Sequence, residues 1–164
     1  MAAPAGQSSL IDIDATYLPV QQMRQIARIT ALAGATITGE VDLGSEHWVY
    51  AQHFPGDPIF PGALIIEAAG QLVALWAWAS GQRGKPRLVR VGAEFRQPVV
   101  PSTTRLVLEA HVVRKRHLHF ASVRIRTAAD GVEVAVVTTV LAVVQPDRAV
   151  ALYQPSEAAH SNPS

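Results

Sequence analysis

The chain reads as one α+β domain in which an antiparallel sheet wraps a single long helix. Three observations predict this. Residues 63–79 are almost wholly apolar, with Glu67 and Gln71 as the only strongly polar side chains, and a helix apolar all round has to be covered all round. Strand-type segments lie on both sides of it, at 23–33 and 35–43 before and at 88–96, 105–115, 118–127 and 132–144 after; strands, one helix, then a run of strands is an α+β order. Finally, 164 residues, 49% apolar and only 16% charged, suffice for one sizeable core, are too few for two comfortable domains, and exclude a disordered chain.

Each element has a local reason. Residues 1–9 and 147–164 read as tails, with 154–164 rich in Ser, Pro, Ala and Asn and without apolar period, which leaves 10–146 as the domain. In 35–43, Ile37 and Val41 are interleaved with Thr36, Thr38, Glu40 and Asp42, the alternation of a half-buried strand. Trp48, Val49 and Tyr50 form a short β-type run. The helix is expected from Gly62 to Ser80, with Gly81 as a fitting stop. Leu106, Leu108, Ala110 and Val112 fall on one face of their strand, and Asp130-Gly131 is a strong hairpin signal.

Composition excludes several function classes. With no cysteine in the chain there are no disulfides, thiolate metal sites or cysteine nucleophile, which fits an intracellular, cytoplasmic protein. The N-terminus lacks a basic segment followed by an apolar one, so no secretory signal is read there. The apolar stretch 63–79 is marginal in length for a membrane span and carries Glu67, so a buried soluble helix is the better reading. His117 and His119 would put two imidazoles on one strand face, but no third ligand is evident and no metal is expected. Gly81-Gln82-Arg83-Gly84-Lys85 lacks P-loop spacing. Asp12 and Asp14 read as a solvated pair, and no serine-hydrolase motif is present. The arginines are not interleaved with aromatics, which argues against nucleic-acid binding.

The net charge of +1 conceals an asymmetry. Residues 1–80 hold only Arg24 and Arg28 against seven carboxylates, whereas 81–126 hold eleven Lys or Arg against Glu94 and Glu109. The bland reading is ordinary outward-facing strand residues; the sharper one is a docking face for an acidic partner.

The segment best suited to chemistry is 53–71. A lone histidine is ordinarily structural or exposed. His53, however, precedes Phe54-Pro55-Gly56, where proline fixes φ and glycine permits close backbone approach, so its imidazole is held in place and suits a general base. Glu67 is either a buried carboxylate satisfied locally or a general acid, since an apolar helix favours the neutral, proton-donating carboxyl. Gln71, four residues on, shares its helix face. Gly62 falls at the helix N-terminus, where early amides lack intrahelical acceptors and a developing oxyanion is stabilised; one such donor is typically worth about 10²–10³ in rate.

The pattern His53-Phe-Pro-Gly-x-Pro-x-x-Pro-Gly62-x-Leu-x-x-Glu67-Ala-x-x-Gln71 closely resembles the signature of 3-hydroxyacyl-acyl-carrier-protein dehydratases of the FabZ type. Phe95-Arg96-Gln97-Pro98-Val99-Val100-Pro101 resembles a second stretch of that family. The resemblance covers roughly residues 10–144. It implies a hot-dog fold, a homodimer with a continuous sheet that in some members assembles as a trimer of dimers, and active sites shared across the dimer interface. By motif, His53 is the base, Glu67 the acid and the Gly62 N–H the thioester polariser, while Phe54, Pro61 and Gln71 position the substrate or the carboxylate. The resemblance implies no cofactor beyond the phosphopantetheine of acyl carrier protein, or coenzyme A, that carries the substrate, and it makes the carrier the expected partner. Glu67 rather than aspartate resembles FabZ more than the FabA branch. Ser102-Thr103 depart from the usual Gly-Asp, Ala68-Ala69-Gly70 from Ala-Met-Ala, and Trp76 and Trp78 are bulky, which leaves fatty-acid and polyketide or polyene substrates both open. A hot-dog thioesterase is the alternative enzyme. A non-catalytic acyl-carrier-binding subunit is the alternative without turnover.

Overall fold

The structure is a computed structural model that describes residues 17–145; both tails read from the sequence lie outside this range. Six strands form one antiparallel sheet. They are β1 (Arg28–Ala33), β2 (Thr36–Asp42), β3 (Lys85–Phe95), β4 (Arg105–Lys115), β5 (Leu118–Thr127) and β6 (Glu133–Val144), in the spatial order β1-β2-β4-β5-β6-β3. The single helix α1 (Gly62–Ala79) lies between β2 and β3 in sequence. The chain therefore leaves β2 near one edge, runs through α1 and enters the sheet at the other edge as β3.

Helix α1 packs against β2 to β6. Its Leu72, Val73, Leu75 and Ala77 are at most 1% exposed, and each large aliphatic side chain so buried stabilises by about 1.5–3 kcal/mol. The sheet meets it with Ile37, Leu106, Leu108, Ala110, Val123, Ile125 and Val137, all buried. Gly39 permits close approach of β2 to the helix: a Cβ there would lie 2.9 Å from Leu72 Cδ1 and 3.1 Å from the Arg28 carbonyl. The helix is long and apolar enough to cross a membrane by length and composition, yet half of it is buried within the domain as its core.

Most elements fall where the sequence places them. Strands β4 and β5 match their expected bounds, β6 begins one residue late, and the Asp130-Gly131 turn joins β5 to β6, with the Thr127 hydroxyl donating to Asp130. Four readings need correction. The expected strand at 23–33 begins only at Arg28, after a 3-10 turn at Gln21–Met23. Trp48–Ala51 is also a 3-10 turn rather than a β-run. The β3 strand starts three residues early, at Lys85. His117 lies in the tight turn between β4 and β5, next to Arg116 at φ 59°, whereas His119 is fully buried on β5. The two imidazoles therefore do not share a face.

The helix is also not covered all round. Ala63 is exposed, and Ile66, Glu67 and Gly70 are half-buried, a stripe at helical spacing. Beside it runs β3, an edge strand along which Leu88, Val89, Val91 and Phe95 are 36–51% exposed.

Candidate active site

The loop at 52–61 is tied together by its own backbone. The His53 N–H donates to the Val49 carbonyl (2.8 Å), the Ile59 N–H donates back to the His53 carbonyl (2.9 Å), and Phe54 and Asp57 exchange two bonds of 2.9 Å. The His53–Phe54 peptide is cis, and the two rings stack with centroids 4.0 Å apart. His53 Nδ1 lies 2.9 Å from the Ile59 carbonyl oxygen. A carbonyl only accepts, so Nδ1 carries the proton and the neutral ring presents Nε2 as its basic nitrogen. The half-buried His53 is thereby held in one tautomer.

The loop leads through Phe60, buried and bonded by its N–H to Val99 O (2.8 Å), into Pro61 and the helix. Helical hydrogen bonding begins with the Leu64 and Ile65 amides, both to Pro61 O (3.0 and 3.2 Å); Gly62 and Ala63 precede it, at the positive end of the helix dipole. A Cβ on Gly62 would stand 2.7 Å from Phe95 Cζ, so the absence of a side chain lets the Phe95 ring lie on the helix terminus. Ile59, Phe60, Gly62, Ile65, Phe95, Pro98 and Val99 line an open pocket of about 480 Å³ there. The second sequence motif thus belongs to the same place as the first: Phe95 and Pro98 flank Gly62.

Glu67 is arranged differently. Its Oε1 accepts from Gln71 Nε2 (2.9 Å). That amide also donates to Met23 O (2.7 Å), and its Oε1 accepts from the Gln25 and Ile26 amides (2.8 and 3.3 Å). Gln71, 3% exposed, is therefore satisfied on both sides, and the backbone at 23–26 fixes which end of the amide faces Glu67. The sequence placed Gln71 beside the carboxylate but gave no sign of this clamp on a segment more than forty residues away. Glu67 lines a small pocket of about 140 Å³ with Tyr17, Leu18, Pro19, Ile66, Gly70, Ala74, Pro86, Leu88 and Leu141. Apart from Glu67 and Gln71 its only polar side chain is Tyr17, whose phenol burial pushes up to about 12, partly offset by Arg83. Trp78 packs edge-on against Tyr17 and under the Arg83 guanidinium. Trp76 instead donates to Gly34 O (2.9 Å).

Within one chain these halves do not meet. Neither His53 nor Gly62 lines the Glu67 pocket. Five helical residues separate Gly62 from Glu67, which advances the chain ~7.5 Å and turns it ~140°, so the two lie on different sides of α1. Phe54 is 53% exposed beside His53, and Pro61 supplies the helix cap. Among the described residues no group of three His, Cys, Asp or Glu is placed to hold a metal ion. His47, which the sequence did not single out, packs its ring 5.5 Å from that of Phe60.

An antiparallel sheet around one central helix, with a histidine loop leading into the helix and a carboxylate on its second turn, defines a hot-dog domain. The chain belongs to the FabA-like domain family, whose model matches residues 18–138. Solved structures of similar fold include AziG of S. sahachiroi (20% identity over 71% of this chain and 90% of that one, TM-score 0.53). A second is the thioesterase HI1161 of Haemophilus influenzae (17%, 72% and 78%, 0.56). A third is the E. coli PaaI protein from the phenylacetic acid degradation operon (14%, 71% and 78%, 0.56). At these identities the likeness is one of fold.

Proposed function

We propose that this protein is a hydro-lyase of the FabZ type, removing water from a 3-hydroxyacyl thioester to give the trans-2-enoyl thioester. The observation that carries the reading is the His53 tautomer: Nδ1–H bound to Ile59 O leaves Nε2 as a fixed base, in the same loop that delivers the Gly62 amide at a helix terminus. His53 Nε2 takes the C2 proton. The Gly62 N–H stabilises negative charge developing on the thioester oxygen. Glu67 gives its proton to the departing C3 hydroxyl, so that the C–O bond breaks as the C2–C3 double bond forms. Gln71 Nε2 can only donate and engages Oε1 as an acceptor, which makes Oε2 the oxygen that would carry the transferable proton in this role.

The separation of His53 from Glu67 within a chain supports a homodimer in which each site takes its base from one subunit and its acid from the other. The exposed apolar edge of β3 and the uncovered stripe of α1 are what such a partner would cover, since a long, apolar sheet edge is otherwise an aggregation hazard. An acidic acyl carrier protein suits the basic half of the chain. Arg28, Arg96, Arg105 and Arg124 are engaged by Glu40, Asp42, Glu94 and Glu133, whereas Arg90 and Arg116 form no ion pair with a described residue.

The test is interconversion of enoyl and 3-hydroxyacyl thioesters, on carrier protein and on coenzyme A, over chains of different length and oxygenation. His53→Ala and Glu67→Gln are each expected to lower turnover by about 10²–10⁴-fold; wild-type rates in either folded variant would remove these roles. The second reading, a thioesterase, is favoured by the fold neighbours, several of which are thioesterases, HI1161 of Haemophilus influenzae among them. Release of free thiol without an enoyl product would establish it instead.

A further inference from the structure

We infer that His47 is a positioning residue for the His53 base, and the inference rests on the dehydratase reading only for its effect on turnover. His47 sits ahead of the 3-10 turn Trp48–Ala51, and its Nδ1 accepts from the Val49 N–H (3.3 Å). The carbonyl of that same Val49 accepts the His53 N–H (2.8 Å). From His53 the chain of contacts continues through Nδ1–H to Ile59 O (2.9 Å) and through the adjoining residue Phe60, whose ring stands nearly perpendicular to His47 at 5.5 Å between centroids. His47, Val49, His53, Ile59 and Phe60 thus close a ring. One side of that ring fixes where the base begins, and the other fixes where the chain enters Pro61 and Gly62. His47 is the member that joins the two.

The ring also sets opposite tautomers on the two histidines. His53 donates from Nδ1, whereas His47 must keep Nδ1 unprotonated to accept from Val49 and so carries its proton on Nε2. Burial of His47 lowers its proton affinity and favours this neutral form. Packing of its ring against Trp48 and Tyr50, at 5.7 and 6.0 Å, keeps the imidazole from swinging away. A loop held only at one end would let the base and the amide donor drift relative to each other, and a displacement of about 1 Å at such a site can cost on the order of 10²-fold in rate.

Two substitutions separate the polar and the steric parts. His47→Phe keeps an aromatic ring against Phe60 and removes the acceptor; His47→Asn keeps an acceptor suited to a cap. Nitrogen-15 NMR of the imidazoles, assigned through His53→Ala, reads the tautomers, and thioester turnover reads the consequence. Expected in the wild type are an Nδ1–H signature for His53 and an Nε2–H signature for His47. In His47→Phe the His53 tautomer preference weakens and kcat falls about tenfold with KM within about twofold, and His47→Asn recovers most of both. The inference is overturned by a His53 signature unchanged in His47→Phe, whether kcat stays at the wild-type value or falls with thermal stability alone. A wild-type protein inactive on every thioester would remove the dehydratase reading, while the NMR comparison would still decide the role of His47.

Discussion

The two halves of the candidate site are finished to different degrees. The His53 loop is complete within one chain: its backbone groups are paired across the loop, its imidazole is locked to Ile59 O, and its far end is pinned by buried Phe60. The Glu67 half is open. Its carboxylate is oriented by Gln71, but it faces a half-covered stripe of α1 beside the exposed apolar edge of β3. A base that must accept a proton at one fixed nitrogen needs rigidity, which local loop bonding supplies. On the proposed reading an acid acting on an apolar substrate needs enclosure, and the segment Tyr17–Pro19 walls only part of the Glu67 pocket, leaving Glu67 half-buried. On the proposed dehydratase reading, the difference suits a dimer in which the two halves serve different sites.

The largest expected effect breaks that comparison directly. If each site draws its base and acid from opposite subunits, His53→Ala and Glu67→Gln proteins are each nearly inactive alone. Refolded together in equal amounts they form heterodimers with one wild-type site and one doubly altered site, so activity is expected to return to roughly a quarter of wild type. No recovery, in mixtures shown by differential tagging to contain heterodimers, would place both residues of a site in the same chain.

A smaller effect probes how Glu67 is held. Gln71→Leu removes the acceptor for the Gln25 and Ile26 amides and the donor to Met23 O. Leaving such buried backbone groups unpaired costs about 1–3 kcal/mol, which for a chain of this size lowers Tm by roughly 2–4 °C per kcal/mol. On the proposed reading turnover should fall as well, because Glu67 loses the donor that orients its carboxyl group. A Tm loss with unchanged kcat would confine Gln71 to anchoring the segment at 23–26.

How much of this was legible in the sequence follows from which contacts are local. The β4 and β5 bounds were readable because one face of each is buried and a period of two leaves no other register. The helix was readable from its Pro-Gly start and Gly stop. The early start of β3 was hidden because Lys85-Pro86-Arg87 looks like a turn, and only an edge strand tolerates the proline. Trp48-Val49-Tyr50 has β-type composition, yet it turns, with His47 capping one end and the Val49 carbonyl receiving two amides at the other. The pair of Glu67 with Gln71 could be read from spacing four, but the clamp from Gln71 to the segment at 23–26 could not, since nothing in a one-dimensional pattern brings them together. Phe95 was read as part of a motif; that its ring lies on Gly62 depends on the sheet carrying β3 to the helix terminus.

The smallest effect concerns a histidine outside the site. His119 is fully buried on β5, with Nδ1 3.3 Å from Leu141 O, edge-on to Trp76, and with no partner for Nε2 among the described residues. Burial lowers its proton affinity, only partly offset by the bond to Leu141, and Arg114 and His117 lower it further. The sign follows from linkage. Below about pH 6.5 the unfolded chain takes up a proton at this histidine while the folded chain does not. Stability is therefore undiminished above that pH and declines as the pH falls, until the folded protein is itself protonated. His119→Leu removes the titrating group and the unpartnered nitrogen together, so urea midpoints should change little at pH 8 and fall less steeply than wild type between pH 6.5 and 5. The carboxylates Asp42 and Glu133, held low by Arg28 and Arg124 respectively, contribute their own acid loss at still lower pH in both proteins. His47 is also lowered by burial and keeps part of the slope in the variant. Parallel curves for the two proteins would mean that His119 takes up its proton equally in the folded and unfolded chain.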